Sequence, residues 1–168
     1  RFPCMAFPKI DGFRCVLSNE GPLTSRLSPF PNRHFHKSLR GLLPVDRLLD
    51  GEVVVGKKRG KGVLQRTSSG LTSQEGVPDF TLWVFDQPGP GDFHYRYHRA
   101  AEMVDVLDDP QIKILRFEMI HNFPQLEAYL AKCLRKEYEG IITRDPGGRH
   151  KEGKSTLREQ WMLKVKPF

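Results

Sequence analysis

Apolar residues in this chain fall mostly in short runs punctuated by glycine, proline and asparagine, a pattern that predicts strands more often than helices. Met5 to Lys9 and Phe13 to Leu17 flank the turn pair Asp11-Gly12, which predicts a tight strand-turn-strand. Leu23 to Arg26 follows a second turn as a third strand. Leu48 to Gly56 reads as a buried strand interrupted by Asp50-Gly51-Glu52, and Thr81 to Asp86 as an apolar strand ending in a carboxylate. Ile112 to Ile120 alternates as one strand, and Ile141 to Thr143 and Trp161 to Val165 are the last two. Lys57 to Gly62, basic and rich in glycine, is predicted as a hairpin tip, solvated or in contact with nucleic acid. Helical spacing appears over His36 to Leu43, over Tyr95 to Leu107, and over Phe123 to Glu137. In the last of these Asn122 is the N-cap and Leu126, Leu130, Cys133 and Leu134 share a face. Strands outnumber helices and many are joined by short turns. The expected class is therefore α+β, with mostly antiparallel sheets flanked by helices.

Length and composition narrow the picture. At 168 residues the chain fits one domain, or two packed lobes sharing a cleft, and the whole of 1–168 is expected to fold as one unit. No apolar run is long enough to span a bilayer. No disulfide staple is required at this length, and Cys4, Cys15 and Cys133, odd in number and widely spaced, argue for an intracellular, reducing setting. Arg1 and Lys166-Pro167-Phe168 do not look like natural termini, which predicts a fragment of a longer protein. The formal charge is +7, and from Arg144 to Lys166 seven Lys/Arg stand against three Asp/Glu. Such an excess suits a polyanionic partner.

The candidate chemistry starts at Lys9-Ile10-Asp11-Gly12-Phe13-Arg14, where an amine, a carboxylate, a flexible pivot and a guanidinium lie within one turn and its flanks. A lysine attacks only as the neutral amine. Asp11 cannot promote that form, because a neighbouring anion favours ammonium; nearby cations can, and Lys164, Lys166 and any bound metal are the expected source. Lys164 and Lys166 alternate with Leu163 and Val165 and so share one face of the final strand. Glu52 and Glu139 sit in apolar settings, where a carboxylate needs an arginine partner (Arg14, Arg26 or Arg144) or a metal such as Mg²⁺. Phe85 either fills the core or offers its ring to a base. The pairs His34/His36 and His94/His98 have spacings a metal could use but read as ordinary surface residues.

Taken in order, the hexapeptide at Lys9, Ser25-Arg26, Asp50-Gly51-Glu52, Val84-Phe85-Asp86, Glu139-Gly140-Ile141-Ile142 and Leu163-Lys164-Val165-Lys166 resemble the motifs of the covalent nucleotidyltransferases. Lys154-Ser155-Thr156-Leu157-Arg158-Glu159 and Phe2-Pro3-Cys4 are similar in particular to the small ATP-dependent DNA ligases of phages and large DNA viruses. The resemblance implies an ATP-grasp-like adenylation domain with a central nucleotide cleft. In it Lys9 would take AMP from ATP as a lysyl-AMP adduct and pass it to the 5′-phosphate of nicked double-stranded DNA. It further implies that Arg14 and Arg26 hold ribose or phosphate, that Phe85 stacks on adenine, and that Glu52 and Glu139 engage ribose and Mg²⁺ or Mn²⁺. Lys164 and Lys166 would neutralise the α-phosphate, and Asp11 would orient groups in the later steps. A monomer is expected, with a C-terminal oligonucleotide-binding (OB) domain in the parent protein and, for a phage protein, the bacterial cytoplasm as its setting. Leu64 stands where that family has a phenylalanine before glutamine. An RNA ligase, a capping guanylyltransferase and a non-catalytic nucleic-acid-binding module are the alternatives.

Overall fold

The computed structural model describes residues 1–150 and 162–167. Two sheets form the frame. One holds β1 (Cys4–Pro8), β7 (Glu118–Ile120), β8 (Ile141–Arg144) and β9 (Met162–Val165) in the order β7-β1-β8-β9, all antiparallel. The other holds β2 (Phe13–Ser18), β3 (Gly21–Leu23), β4 (Leu49–Val55), β5 (Phe80–Asp86) and β6 (Ile112–Ile114) in the order β3-β2-β4-β5-β6, antiparallel except for the β5–β6 pair. Helices α1 (Arg33–Leu39), α2 (Val63–Thr72), α3 (Phe93–Leu107) and α4 (Phe123–Arg135) flank them. The class is α+β with predominantly antiparallel sheets, as expected.

The period-two pattern explains how one strand serves two layers. In β5, Phe80, Leu82 and Val84 are buried in a core with Phe35, Leu39, Leu71 and Ala100, beneath α1, α2 and α3. Trp83 and Phe85 point to the opposite face and pack on the second core, built on Met5, Phe7, Ile120, Tyr129 and Ile141. Cys4, Cys15 and Cys133 are free and buried within these layers. Among the described residues no helix is long and apolar enough to cross a membrane.

Several segments differ from the sequence expectation, among them the third strand, which is Gly21–Leu23 and not Leu23 to Arg26. The strands around Asp11-Gly12 exist but do not pair: β1 and β2 belong to different sheets, so the turn is a crossing between layers. Residues 112–120 form two strands, because Leu115 leaves the ladder. Its N–H donates to the Val84 carbonyl at 2.7 Å and its carbonyl accepts from the Tyr97 hydroxyl at 2.8 Å, which turns the chain toward the first sheet. Lys57 to Gly62 leads into α2 and not into a hairpin strand. That helix is hard to foresee: Gly62 supplies no side-chain cap, and Val-Leu-Gln-Arg-Thr-Ser-Ser-Gly has low intrinsic helix propensity. The first helix starts at Arg33 because Asn32 accepts from the Phe35 N–H at 2.8 Å, and it stops at Arg40, which is extended.

Candidate active site

A cleft of about 410 Å³ is lined by residues of both sheets, among them Lys9, Glu52, Phe85, Arg144 and Lys164. Lys9 follows β1 directly, and its N–H donates to the Gly140 carbonyl at 2.9 Å, which seats it beside the segment leading into β8. Its ammonium then donates to Glu139 Oε2 at 2.6 Å, while Lys166 donates to Glu139 Oε1 at 2.5 Å. Those two bonds, from Lys166 first and Lys9 second, pull the Glu139 carboxyl down to about 2. Gly140 permits the arrangement: a β-carbon there would strike the Val165 carbonyl and push β9, with Lys164 and Lys166, away from Glu139.

The opposite wall is set by a ladder irregularity. The β4–β5 register steps from Asp50↔Asp86 to Gly51↔Val84, so Phe85 has no partner on β4. A bulge of this kind re-aims a side chain, here placing the Phe85 ring in the cleft wall. It also sets two buried carboxylates, Asp50 and Asp86, opposite each other. Each is met by guanidinium. Arg14, on β2, reaches diagonally to Asp50, with Nε at 2.5 Å from Oδ1 and Nη2 on Oδ2. Arg96 of α3 forks onto Asp86 at 2.9 and 3.4 Å, and Arg144 approaches it at 3.6 Å while lying 4.0 Å above the Phe93 ring. Burial pulls the Arg144 guanidinium down to about 10 and pushes the Asp50 carboxyl up, against the bond from Arg14.

Glu52 lies between the two walls. Among the described residues its one hydrogen bond is a long one from the Gly12 N–H, 3.3 Å, and burial pushes its carboxyl up to about 7. A site with this layout can hold a flat ring against Phe85 and an anion among Lys9, Arg14, Arg144 and Lys164. It also presents an amine at its wall.

The fold that carries this cleft is found among solved structures. The DNA ligase-adenylate of Chlorella virus superposes with a TM-score of 0.82 at 30% identity, covering 99% of this chain and 63% of that one. The chain has the adenylation-domain fold of the ATP-dependent DNA ligases. The ATP-dependent DNA ligase of bacteriophage T7 in complex with ATP (TM-score 0.71, 20% identity, 98% of this chain and 62% of that one) has the same fold. So does the ligase domain of M. tuberculosis LigD (0.68, 15%, 98% and 55%). The chain spans less than two thirds of each of these ligases' length. No family model matches the sequence, and no curated protein does.

Within this ligase-type fold, the predicted site residues are not all brought together. Lys9, Asp11, Arg14, Glu52, Phe85 and Lys164 line the cleft, with Asp11 exposed at its edge. Glu139 reaches it through Lys9, and Lys166 through Glu139. Arg26 does not: Leu23 ends β3, and Arg26 sits on an exposed turn closed by the Leu27 N–H on the Thr24 carbonyl at 2.8 Å. Among the described residues Lys9 pairs with the anion Glu139, which also holds the expected cation Lys166, and Glu52 pairs with no arginine, because Arg14 goes to Asp50 and Arg144 to Asp86. No group of three or more His, Cys, Asp or Glu converges among the described residues. With both Glu139 oxygens taken by lysines, Glu52 is the carboxylate that fits a hard cation completing its shell with water and substrate phosphate. Lys154 to Glu159 and Trp161 lie outside the described residues. Arg96, Arg144 and the Asp86 that both of them meet were missed as a set. The available signal was an arginine at the apolar spacing of α3, between Phe93 and Ala100, which calls for a buried anion.

Proposed function

We propose that this chain is the adenylation domain of an ATP-dependent DNA ligase, followed in its parent protein by an OB domain. The observation that carries this reading is the placement of Lys9: a backbone-anchored amine in the wall of a cleft that offers Phe85 to a base and cationic side chains to a triphosphate. In the proposed reaction Lys9 leaves Glu139, which keeps Lys166 as its partner, and gives up its proton to solvent. The amine attacks the α-phosphorus of ATP; the N–P bond forms as the bond to the leaving pyrophosphate breaks, and the nitrogen gives up a second proton to solvent to leave the phosphoramidate. Lys164 and Arg144 stabilise charge on the phosphoryl oxygens, and Arg14, whose guanidinium is half exposed, offers its free edge to ribose or to the nick phosphate. The AMP then passes to the 5′-phosphate of nicked duplex DNA, and the adjacent 3′-hydroxyl displaces it. Mg²⁺ or Mn²⁺, held by Glu52 and the nucleotide, would neutralise phosphate charge.

Incubation of the parent protein with α-labelled ATP and Mg²⁺ should leave an acid-labile label on the chain, absent with Lys9→Ala and with GTP as donor. Unchanged labelling of the Lys9→Ala protein would overturn the assignment. Preferential labelling by GTP would move it to the capping enzymes.

A further inference from the structure

The strand that carries Phe85 carries Trp83 on the same face, two residues and about 7 Å from the cleft wall. Lys58 Nζ stands 4.2 Å from the centroid of that indole and Lys113 Nζ 5.8 Å from it. An aromatic ring attracts cations, but it does not neutralise them. Burial, and then the charges of Arg59, Lys113 and Lys136, push the Lys58 ammonium below its ordinary range. Among the described residues none of Lys57, Lys58, Arg59, Lys61, Lys113 and Lys136 takes part in an ion pair. Mutual repulsion that no ion pair among the described residues offsets is a cost that an arriving polyanion relieves.

The backbone under these charges is built to hold them. Arg66, in the first turns of α2, reaches back into the loop and donates from Nε to the Val55 carbonyl (3.3 Å), from Nη1 to Lys61 (2.9 Å) and from Nη2 to Lys57 (3.1 Å). A guanidinium spent on three carbonyls of one loop serves to fix its shape. At the tip, Gly60, with φ +89°, donates to the Glu137 carbonyl at 3.1 Å and ties the loop to the end of α4. Glu137 flanks the loop without pairing to its cations among the described residues. The loop is thus ordered at both flanks and at its tip before any ligand arrives, which reduces the entropy lost on binding.

We propose that this face, with Lys58 and Lys113 at its centre, binds the phosphate backbone of duplex DNA alongside the cleft. The inference rests on the ligase reading. A nick presented to Lys9 obliges its flanking duplex, with one charge per about 1.7 Å of axis, to pass over neighbouring surface, and this face adjoins the Phe85 wall on the same strand.

The test uses the parent protein and a fluorescent nicked duplex, with affinity followed against salt. Lys58→Ala/Lys113→Ala should bind roughly tenfold more weakly at moderate salt and lower the slope of log affinity against log salt by about two. Lys58→Arg/Lys113→Arg should retain both, and α-labelled ATP should label all three proteins alike. Lys37→Ala/Arg40→Ala, which removes the same charge from α1, should change neither affinity nor slope. The proposal is overturned by unchanged affinity and slope in the Lys58/Lys113 double variant. It is equally overturned by an equal loss in the α1 control, which would mean net charge alone, or by a loss seen with duplex RNA only. If the adduct on Lys9 fails to form while the salt effects appear as stated, the ligase reading falls and this surface stands. An adduct with unaltered DNA binding means the reverse.

Discussion

On one wall of the cleft Lys9, Glu139 and Lys166 form a chain of two ion pairs whose side chains are 15%, 39% and 49% exposed. On the other, Asp86 holds Arg96 and Arg144 with exposures of 3%, 2% and 17%. Both clusters are short-range and charged, and physics assigns them different work. In the open cluster water can replace either lysine at Glu139, so changing partners is cheap; such pairs are worth about 0–1 kcal/mol. In the closed cluster nothing replaces Asp86, and two guanidiniums depend on it. Arg96 also donates to the Gly91 and Gly148 carbonyls at 2.7 and 3.0 Å, so the cluster binds α3, β5 and the segment after β8 into one wall. A reacting group belongs in the first kind of cluster and a scaffold in the second.

The comparison breaks most easily at Asp86. Asp86→Ala should destabilise the protein by about 3–5 kcal/mol, the cost of leaving buried charge without its partner. For a chain of this size that is a fall in melting temperature of roughly 6–20 °C. Thermal or urea unfolding checks it, and a midpoint close to that of the unaltered protein would mean the network is not the scaffold described.

Glu52 sharpens the contrast through pH. Its carboxyl lies at about 7 in the fold, above the ordinary carboxylate value of 4.5. A raised carboxyl contributes its stability fully below the ordinary value and loses it as pH climbs through 7, where the buried group must ionise. Glu139 runs the other way: held at about 2, its contribution is already complete above 4.5 and fades only in strong acid. Between pH 5 and 8.5 Glu52 alone of the two should therefore move stability, by up to about 3 kcal/mol. Unfolding of the unaltered protein and of Glu52→Gln at both pH values tests this. The variant should gain on the unaltered protein at pH 8.5, and parallel curves would refute the burial of this charge.

These two clusters were unequally legible in the sequence. Lys9, Glu139 and Lys166 announce themselves, because each charge lies close to the end of an apolar strand-like run and their order along the chain matches a known set. What the sequence hid was Glu139 lying between the two lysines, since pairing across β1, β8 and β9 depends on register and not on spacing. The strands of β4 and β5 were legible from their apolar runs, but the bulge that frees Phe85 and opposes Asp50 to Asp86 was not. A one-residue shift in pairing leaves no mark on either strand alone. Arg26 is a motif position that the local turn places outside the cleft lining, which the motif order alone does not tell. The sheet crossing at Asp11-Gly12 was hidden for a related reason: a turn dipeptide signals a reversal, and it does not say which partner the next strand will take.

The smallest effect expected is on the open wall, and its smallness is the point. Lys9 is 15% exposed and its partner 39%, so losing their bond leaves Glu139 in reach of both water and Lys166. Lys9→Ala should change stability by less than about 1 kcal/mol. Lys166→Met should do the same, and should let the Glu139 carboxyl rise from about 2 toward the ordinary range, because the bond from Lys166 is the larger of the two that depress it. A carboxyl titration followed by NMR in the unaltered and Lys166→Met proteins, alongside their unfolding curves, measures both. If either variant lost several kcal/mol, as Asp86→Ala is expected to, the open chain would be scaffold too, and Lys9 could not leave Glu139 at the low cost that attack on a nucleotide requires.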